Sequence, residues 1–135
     1  MERIAYSGEL LKGREFVRET KDCTVMAWAN CFDCDYKKAH AWLKKFGRPF
    51  RRGPTTDKLK EALSSCKIAK VRFGPYSQQN RITLEQFTKK HPNGRYYVLV
   101  RGHALCVKDG VVYDHSDKPR RQVVFAVRVY LEGEI

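Results

Sequence analysis

No stretch of this sequence is apolar for long enough to cross a bilayer, which takes about 20 residues, so contact with a membrane is not expected. The opening run Met1-Glu2-Arg3-Ile4-Ala5-Tyr6-Ser7-Gly8 lacks the apolar centre of a cleaved secretion signal, and a cytoplasmic location is the expectation. Cysteine is held to five residues, an odd number that argues against a disulfide framework. Cys31-Phe32-Asp33-Cys34 has C-x-x-C spacing, but no second such pair follows. Zinc would need two more ligands, and Cys66, Cys106 or His40 could join only by accident of the fold. A redox C-x-x-C opens a helix, whereas Cys31 falls near a helix end. These cysteines therefore read as small buried hydrophobes, with no metal and no cofactor expected. No zinc finger, glycine-rich phosphate loop or aromatic RNA-binding signature is present.

Acidic residues are also scarce. There are 15 against 27 lysines and arginines, which leaves a net charge of +12. Such a surface attracts nucleic acid, an acidic protein or an anionic cell wall, and charge alone does not choose among them. The densest basic segment is the loop Arg48-Pro49-Phe50-Arg51-Arg52-Gly53. Arg48, Arg51 and Arg52, with Arg120 and Arg121 later in the chain, form the candidate binding patch.

What is present is a single domain's worth of globular sequence: 135 residues, 42% apolar and 31% charged. Residues 1–20 are weakly patterned. Cys23 to Cys31 reads as a buried helix whose first turn Asp22 or a neighbour caps. Tyr36 to Phe46 has helical spacing and stops at Gly47. A third helix is predicted from Thr56 to Ser65. Lys67 to Phe73 alternates as a strand, with Ala69, Val71 and Phe73 on one face. Thr83-Leu84-Glu85-Gln86 fits a capping box, so a short helix to Lys90 follows. Strands are predicted at Arg95–Arg101, His103–Lys108, Val111–Asp114 and Gln122–Leu131. Trp28 and Trp42 read as core aromatics, and His40 as a core or cleft-edge residue. The expected class is α+β, with N-terminal helices packed on a C-terminal antiparallel sheet.

Within that layout a thiol, an imidazole and a carboxylate stand in suggestive places. Cys23 opens a helix, where the dipole and unpaired amides lower a thiol pKa and the Cys23 N–H can meet an oxyanion. His103 lies on a strand. Asp109-Gly110 is a two-residue hairpin turn, which pairs Lys108 with Val111, Val107 with Val112 and Cys106 with Tyr113. Carried onward, it opposes Leu105 to Asp114 and His103 to Ser116. His103 and Asp114 then share a face as diagonal neighbours within side-chain reach. His115 and Asp117 fall on the other face. Nucleophile, base and orienting acid are the components of thiol hydrolysis.

The order Asp22-Cys23-Thr24-Val25, then Tyr36-Lys37-Lys38-Ala39-His40, then Gly102-His103-Ala104 and Asp114, resembles papain-like cysteine peptidases. It is most similar to the compact bacteriocin-processing branch, including small phage-encoded versions, over about residues 20–131. The resemblance implies a papain-like fold and a peptide or protein substrate. It implies Cys23 as nucleophile, His103 as general base, Asp114 as orienter and, for a phage protein, the host cytoplasm as location. Such peptidases place a glutamine shortly before the cysteine as second oxyanion donor. Here Phe16-Val17-Arg18-Glu19-Thr20 holds none, which leaves Arg18 or Thr20 for that role. Losing one such donor costs about 100- to 1,000-fold in rate. The alternative is therefore a weak or inactive scaffold that binds nucleic acid or an acidic host protein. A peptidoglycan amidase is the third reading.

Overall fold

The first strand of the chain joins the sheet that the last strands build. In the computed structural model, which describes residues 1–19, 21–51, 53–66, 69–116 and 118–131, the elements run β1 (Arg3–Ile4), α1 (Gly8–Val17), α2 (Cys23–Phe32), α3 (Tyr36–Lys45), α4 (Thr56–Ser65), β2 (Ala69–Phe73), α5 (Leu84–Lys90), β3 (Arg95–Val100), β4 (His103–Lys108), β5 (Val111–Tyr113) and β6 (Val123–Tyr130). The six strands form one sheet in the order β1-β5-β4-β3-β6-β2. Every pairing is antiparallel except β1 with β5, which is parallel. The α+β class stands, but the sheet is mixed. An antiparallel sheet was expected because two ladder residues at the N-terminus are too few to show a period. The Val112 and Asp114 amides donate to the Glu2 and Ile4 carbonyls, respectively, and so secure the segment.

Alternation along the central strands divides the core between the two faces of the sheet. Tyr97, Ala104, Cys106, Phe125 and Val127 pack under α1 to α4. Tyr96, Val98, Val100, Leu105, Val107 and Val112 pack under α5 through Leu84 and Phe87. α2 is the helix buried on nearly all sides, with seven of its ten residues inaccessible, as its run of small and apolar residues requires. Asp33 ends it in the left-handed region at φ 49°. Asp35 then caps α3 by accepting from the Lys38 amide, 2.8 Å away. The capping box at Thr83 and Gln86 is formed on both sides. No helix among the described residues is long and apolar enough to cross a membrane.

α1 was not visible in the sequence. It buries only Leu10 fully, so its apolar period is faint. What places it is Ser7, which accepts from the Leu10 amide at 3.2 Å, together with close packing on α3. Gly13 makes that approach possible, since a Cβ there would collide with the Tyr36 side chain. On the edge strand β2, Val71 is 48% exposed. The opposite, basic face lies toward α4, with the Arg72 guanidinium 5.3 Å from the Phe125 ring centre. Lys67 lies outside the described residues.

Candidate functional site

Cys23 is the first residue of α2. Asp22 occupies the N-cap position, but its carboxylate makes no capping bond. It is turned away to accept Arg14 Nε at 2.9 Å, Arg14 Nη2 at 2.8 Å and the Tyr36 hydroxyl at 2.7 Å. The expected side-chain cap on the first turn is therefore absent, and the helix start next to the thiol keeps its electropositive character. Burial pushes the Cys23 thiol up. A hydrogen bond with His103, another from the Ala104 amide and the imidazole's charge outweigh that burial, while Asp114 adds a smaller upward push. The net effect holds the thiol below its ordinary value.

His103 begins β4, and Asp114 follows the last residue of β5. The hairpin register matches the expected pairing through Cys106 and Tyr113. Beyond it, at the same end of the sheet, His103 Nε2 meets Asp114 Oδ2 at 2.7 Å. That leaves Nδ1 for the Cys23 side. Asp114 is 1% exposed and accepts two further bonds, from Tyr6 OH to Oδ1 at 2.8 Å and from Ser116 Oγ to Oδ2 at 2.7 Å. Burial alone would raise its carboxyl, but the imidazole and the Ser116 and Tyr6 hydroxyls bring it down to about 2. Burial lowers His103, and its bonds to Asp114 and Cys23 overcome this and lift it to about 9. At neutral pH these shifts favour a thiolate facing an imidazolium.

The N-terminal segment supports both carboxylates. Tyr6 hangs from the end of β1 and holds Asp114. Arg14, from α1, holds Asp22 in a two-point fork, and its guanidinium lies 5.5 Å from the centre of the Tyr6 ring. Burial, then Asp114, keeps the Tyr6 phenol protonated well above its usual range. Tyr6 and Arg14 carry no signal in the sequence. Tyr36 stands there only as a helix residue and as part of the resembling segment, and Ser116 only as the residue opposed to His103 in the extended hairpin register.

Two hollows meet at Cys23 and His103, both bounded by Gly53 and Gly102. One, of about 540 Å³, is flanked by Arg14, Lys21 and Ser116. The other, of about 390 Å³, runs between Pro54, Leu99, Ala104 and Val124. Gly102 holds φ at +69°, a backbone state that suits glycine.

Other sequence candidates are placed differently. Arg18 is an exposed C-cap of α1 at φ 57° and lines neither hollow; its carbonyl accepts from Arg51 Nε. Thr20, Arg52 and Asp117 lie outside the described residues. Among the described residues, the lysines and arginines that line these hollows are Arg14 and Lys21 in one and Arg101 in the other. Arg48 is no part of a surface patch: it is 4% exposed and bonds buried Glu19 at 2.7 Å. Glu19 also receives the Arg51 amide and contacts His40 Nε2, both at 2.6 Å. A buried acid requires a buried base, and no local pattern marks which arginine serves. Arg51 and Arg120 are exposed, while Arg121 is half-buried with its carbonyl accepting from Leu84 at the start of α5.

His115 sits beside Tyr6, with ring centres 4.2 Å apart, and accepts the Tyr6 amide. The two cysteines of the C-x-x-C diverge. Cys31 is wholly buried, a free thiol hydrogen-bonded to the free thiol of Cys106, while Cys34 is half-buried. No group of three His, Cys, Asp or Glu converges as a metal site among the described residues.

Searched against family models, curated proteins and solved structures, the chain matches none of them.

Proposed function

We propose that the protein is a cysteine hydrolase of the papain-like kind that cleaves a peptide or amide bond, with Cys23 as nucleophile. The observation that carries this reading is the linked set Cys23, His103 and Asp114, whose last member is buried and bonded by three donors. The Cys23 thiolate attacks the carbonyl carbon, and the C=O electron pair moves to oxygen. The Cys23 amide at the bare start of α2 faces that oxyanion, with Lys21 as the nearby cation. Collapse of the intermediate breaks the C–N bond as His103 gives its proton to the leaving amine, which leaves a thioester on Cys23. Water then attacks with its proton passing to neutral His103, and the second collapse frees the acid and restores thiolate and imidazolium. Asp114 holds the ring by Nε2 throughout, and Tyr6 and Ser116 hold Asp114.

A pure binding module would have no use for a buried carboxylate aimed at an imidazole beside a thiol. The withdrawal of Arg48 into the interior also weakens the nucleic-acid patch that such a module would need. An amide in a peptide and one in peptidoglycan call for the same chemistry, so the substrate arm of the test separates them.

The test is the rate of Cys23 alkylation by iodoacetamide against pH, for the wild type and His103→Ala, followed by turnover of a peptide library and of purified cell wall. The expected result is a thiol titrating below its ordinary value, moved upward by the histidine change, with turnover abolished in Cys23→Ala. A thiol of ordinary reactivity that ignores His103 overturns the reading.

A further inference from the structure

A second concavity shares no lining residue with the hollows at Cys23. It is a cavity of about 580 Å³ between α2, α3 and the end of α4, within the size range of small-molecule sites. Its walls are four aromatic rings. Trp28 stacks on Phe32 with centres 4.4 Å apart, Trp42 stands 6.1 Å from Trp28, and Phe46 lies 5.0 Å from Trp42. The Trp42 indole is fixed by its N–H, which donates to the Ala62 carbonyl at 3.3 Å. Trp28 is core, at 4% exposure, while Trp42, Phe32 and Phe46 are half-buried and face open space. Core aromatics close up to crystal-like density, and this group does not.

Charge narrows the choice of occupant. Lys38 and Lys45 line the cavity, both exposed, and neither forms an ion pair among the described residues. No aspartate or glutamate lines it. An aromatic box without acids could accept a cation, but two lysines at the rim repel one. Rings inside and ammonium groups at the rim complement a flat ring bearing an acid group.

We propose that this cavity binds a small amphipathic organic anion, an aromatic carboxylate or sulfonate. Its ring lies among Trp28, Phe32, Trp42 and Phe46, and its acid group meets Lys38 and Lys45. The site stands apart from the Cys23 chemistry and does not depend on it.

Both tryptophans of the chain line the cavity, so tryptophan emission, excited at the red edge where the seven tyrosines do not absorb, reports on this place. The probe is 2-naphthoate, with 2-naphthylmethanol as its uncharged counterpart, titrated into the full-length protein. Amide chemical-shift mapping accompanies the titration. Saturable quenching is expected, with naphthoate binding about tenfold or more tighter than the alcohol, the worth of one or two charge contacts. Removal of the rim charges in a Lys38→Gln, Lys45→Gln double variant weakens naphthoate by a similar factor, measured below the melting transition because Lys45 also stands 5.3 Å from the Trp42 ring centre. Ser65→Trp, which fills the mouth from an exposed position without removing a wall, blocks binding. Cys23→Ala binds as the wild type does. Absence of saturation at millimolar probe, equal affinity for acid and alcohol, indifference to both rim variants, or shifts centred on Cys23 overturns the proposal.

Discussion

Asp114 holds His103 by Nε2 at 2.7 Å while 1% exposed itself, and two further hydroxyls, Tyr6 and Ser116, close around the same carboxylate. An imidazole fixed in this way presents its other nitrogen to Cys23 in a single orientation, and a carboxylate with three donors does not take up a proton near neutrality.

Replacing Asp114 by Asn removes the charge but keeps the shape. The amide no longer favours imidazolium, so His103 falls toward its ordinary value. Asparagine still orients the imidazole in the Cys-His-Asn form of this triad, so turnover is expected to drop by less than the about 10²–10⁴-fold that loss of the base itself costs. Ser116→Ala removes one donor of three and costs about 1 kcal/mol in the folded state. Steady-state rates and thermal melts of the two variants check both.

The shifted values separate two readouts at high pH. Alkylation of Cys23 needs only thiolate and is expected to stay fast above pH 9. Turnover also needs the imidazolium proton for the leaving amine, and declines as His103 deprotonates at about 9. The apparent values belong to the pair. Parallel pH profiles of alkylation and hydrolysis test this, and coincident upper limbs would refute it.

Stability follows the same groups with opposite signs. His103 is raised, so its contribution is complete below about 6.5 and lost as pH rises through about 9. Cys23 is lowered, so its contribution appears as pH rises toward its unfolded value. Over the range where the folded thiol is ionised the two slopes oppose each other. Cys23→Ala removes that opposition, and its melting temperature is expected to fall with pH above about 6.5 more steeply than that of the wild type. At the acid end, Asp114 stabilises above about 3.9 and the contribution is lost as pH falls through about 2. Melts at half-unit pH steps show whether both slopes have these signs.

Two variants test the scaffold. Glu19→Ala leaves Arg48 buried without its carboxylate and is expected to cost about 3–5 kcal/mol. Gly13→Ala, which in an open helix would stabilise by roughly 1 kcal/mol, instead drives a methyl group into Tyr36 and destabilises by about 1–3 kcal/mol. Urea unfolding measures each, and a gain in stability for Gly13→Ala would show that α1 does not pack so closely.

Much of the frame could be read from local pattern. The dense apolar run after Cys23, the lysine-flanked period of α3, the Thr83–Gln86 box and the Asp109-Gly110 turn each lie within about a dozen residues, where period and turn chemistry act. The hairpin turn also settled which of Asp114 and His115 could meet His103, because side chains alternate at every residue and the turn fixes the register. α1 escaped because one buried leucine makes no period. Arg48 was misplaced because a basic residue in a basic loop looks the same whether or not a buried acid waits for it.

By itself the sequence determined the α+β class, most element positions and the shared side of His103 and Asp114, since these depend on neighbours along the chain. The tertiary structure decided the rest. It laid β1 parallel on β5, set Tyr6 against Asp114 from 108 positions away, turned Asp22 from its helix toward Arg14 and Tyr36, and drew Arg48 inside to Glu19. Those choices are made by burial: once a carboxylate loses its water, it takes whichever donors the packed chain brings within reach, and no local pattern records which ones they are.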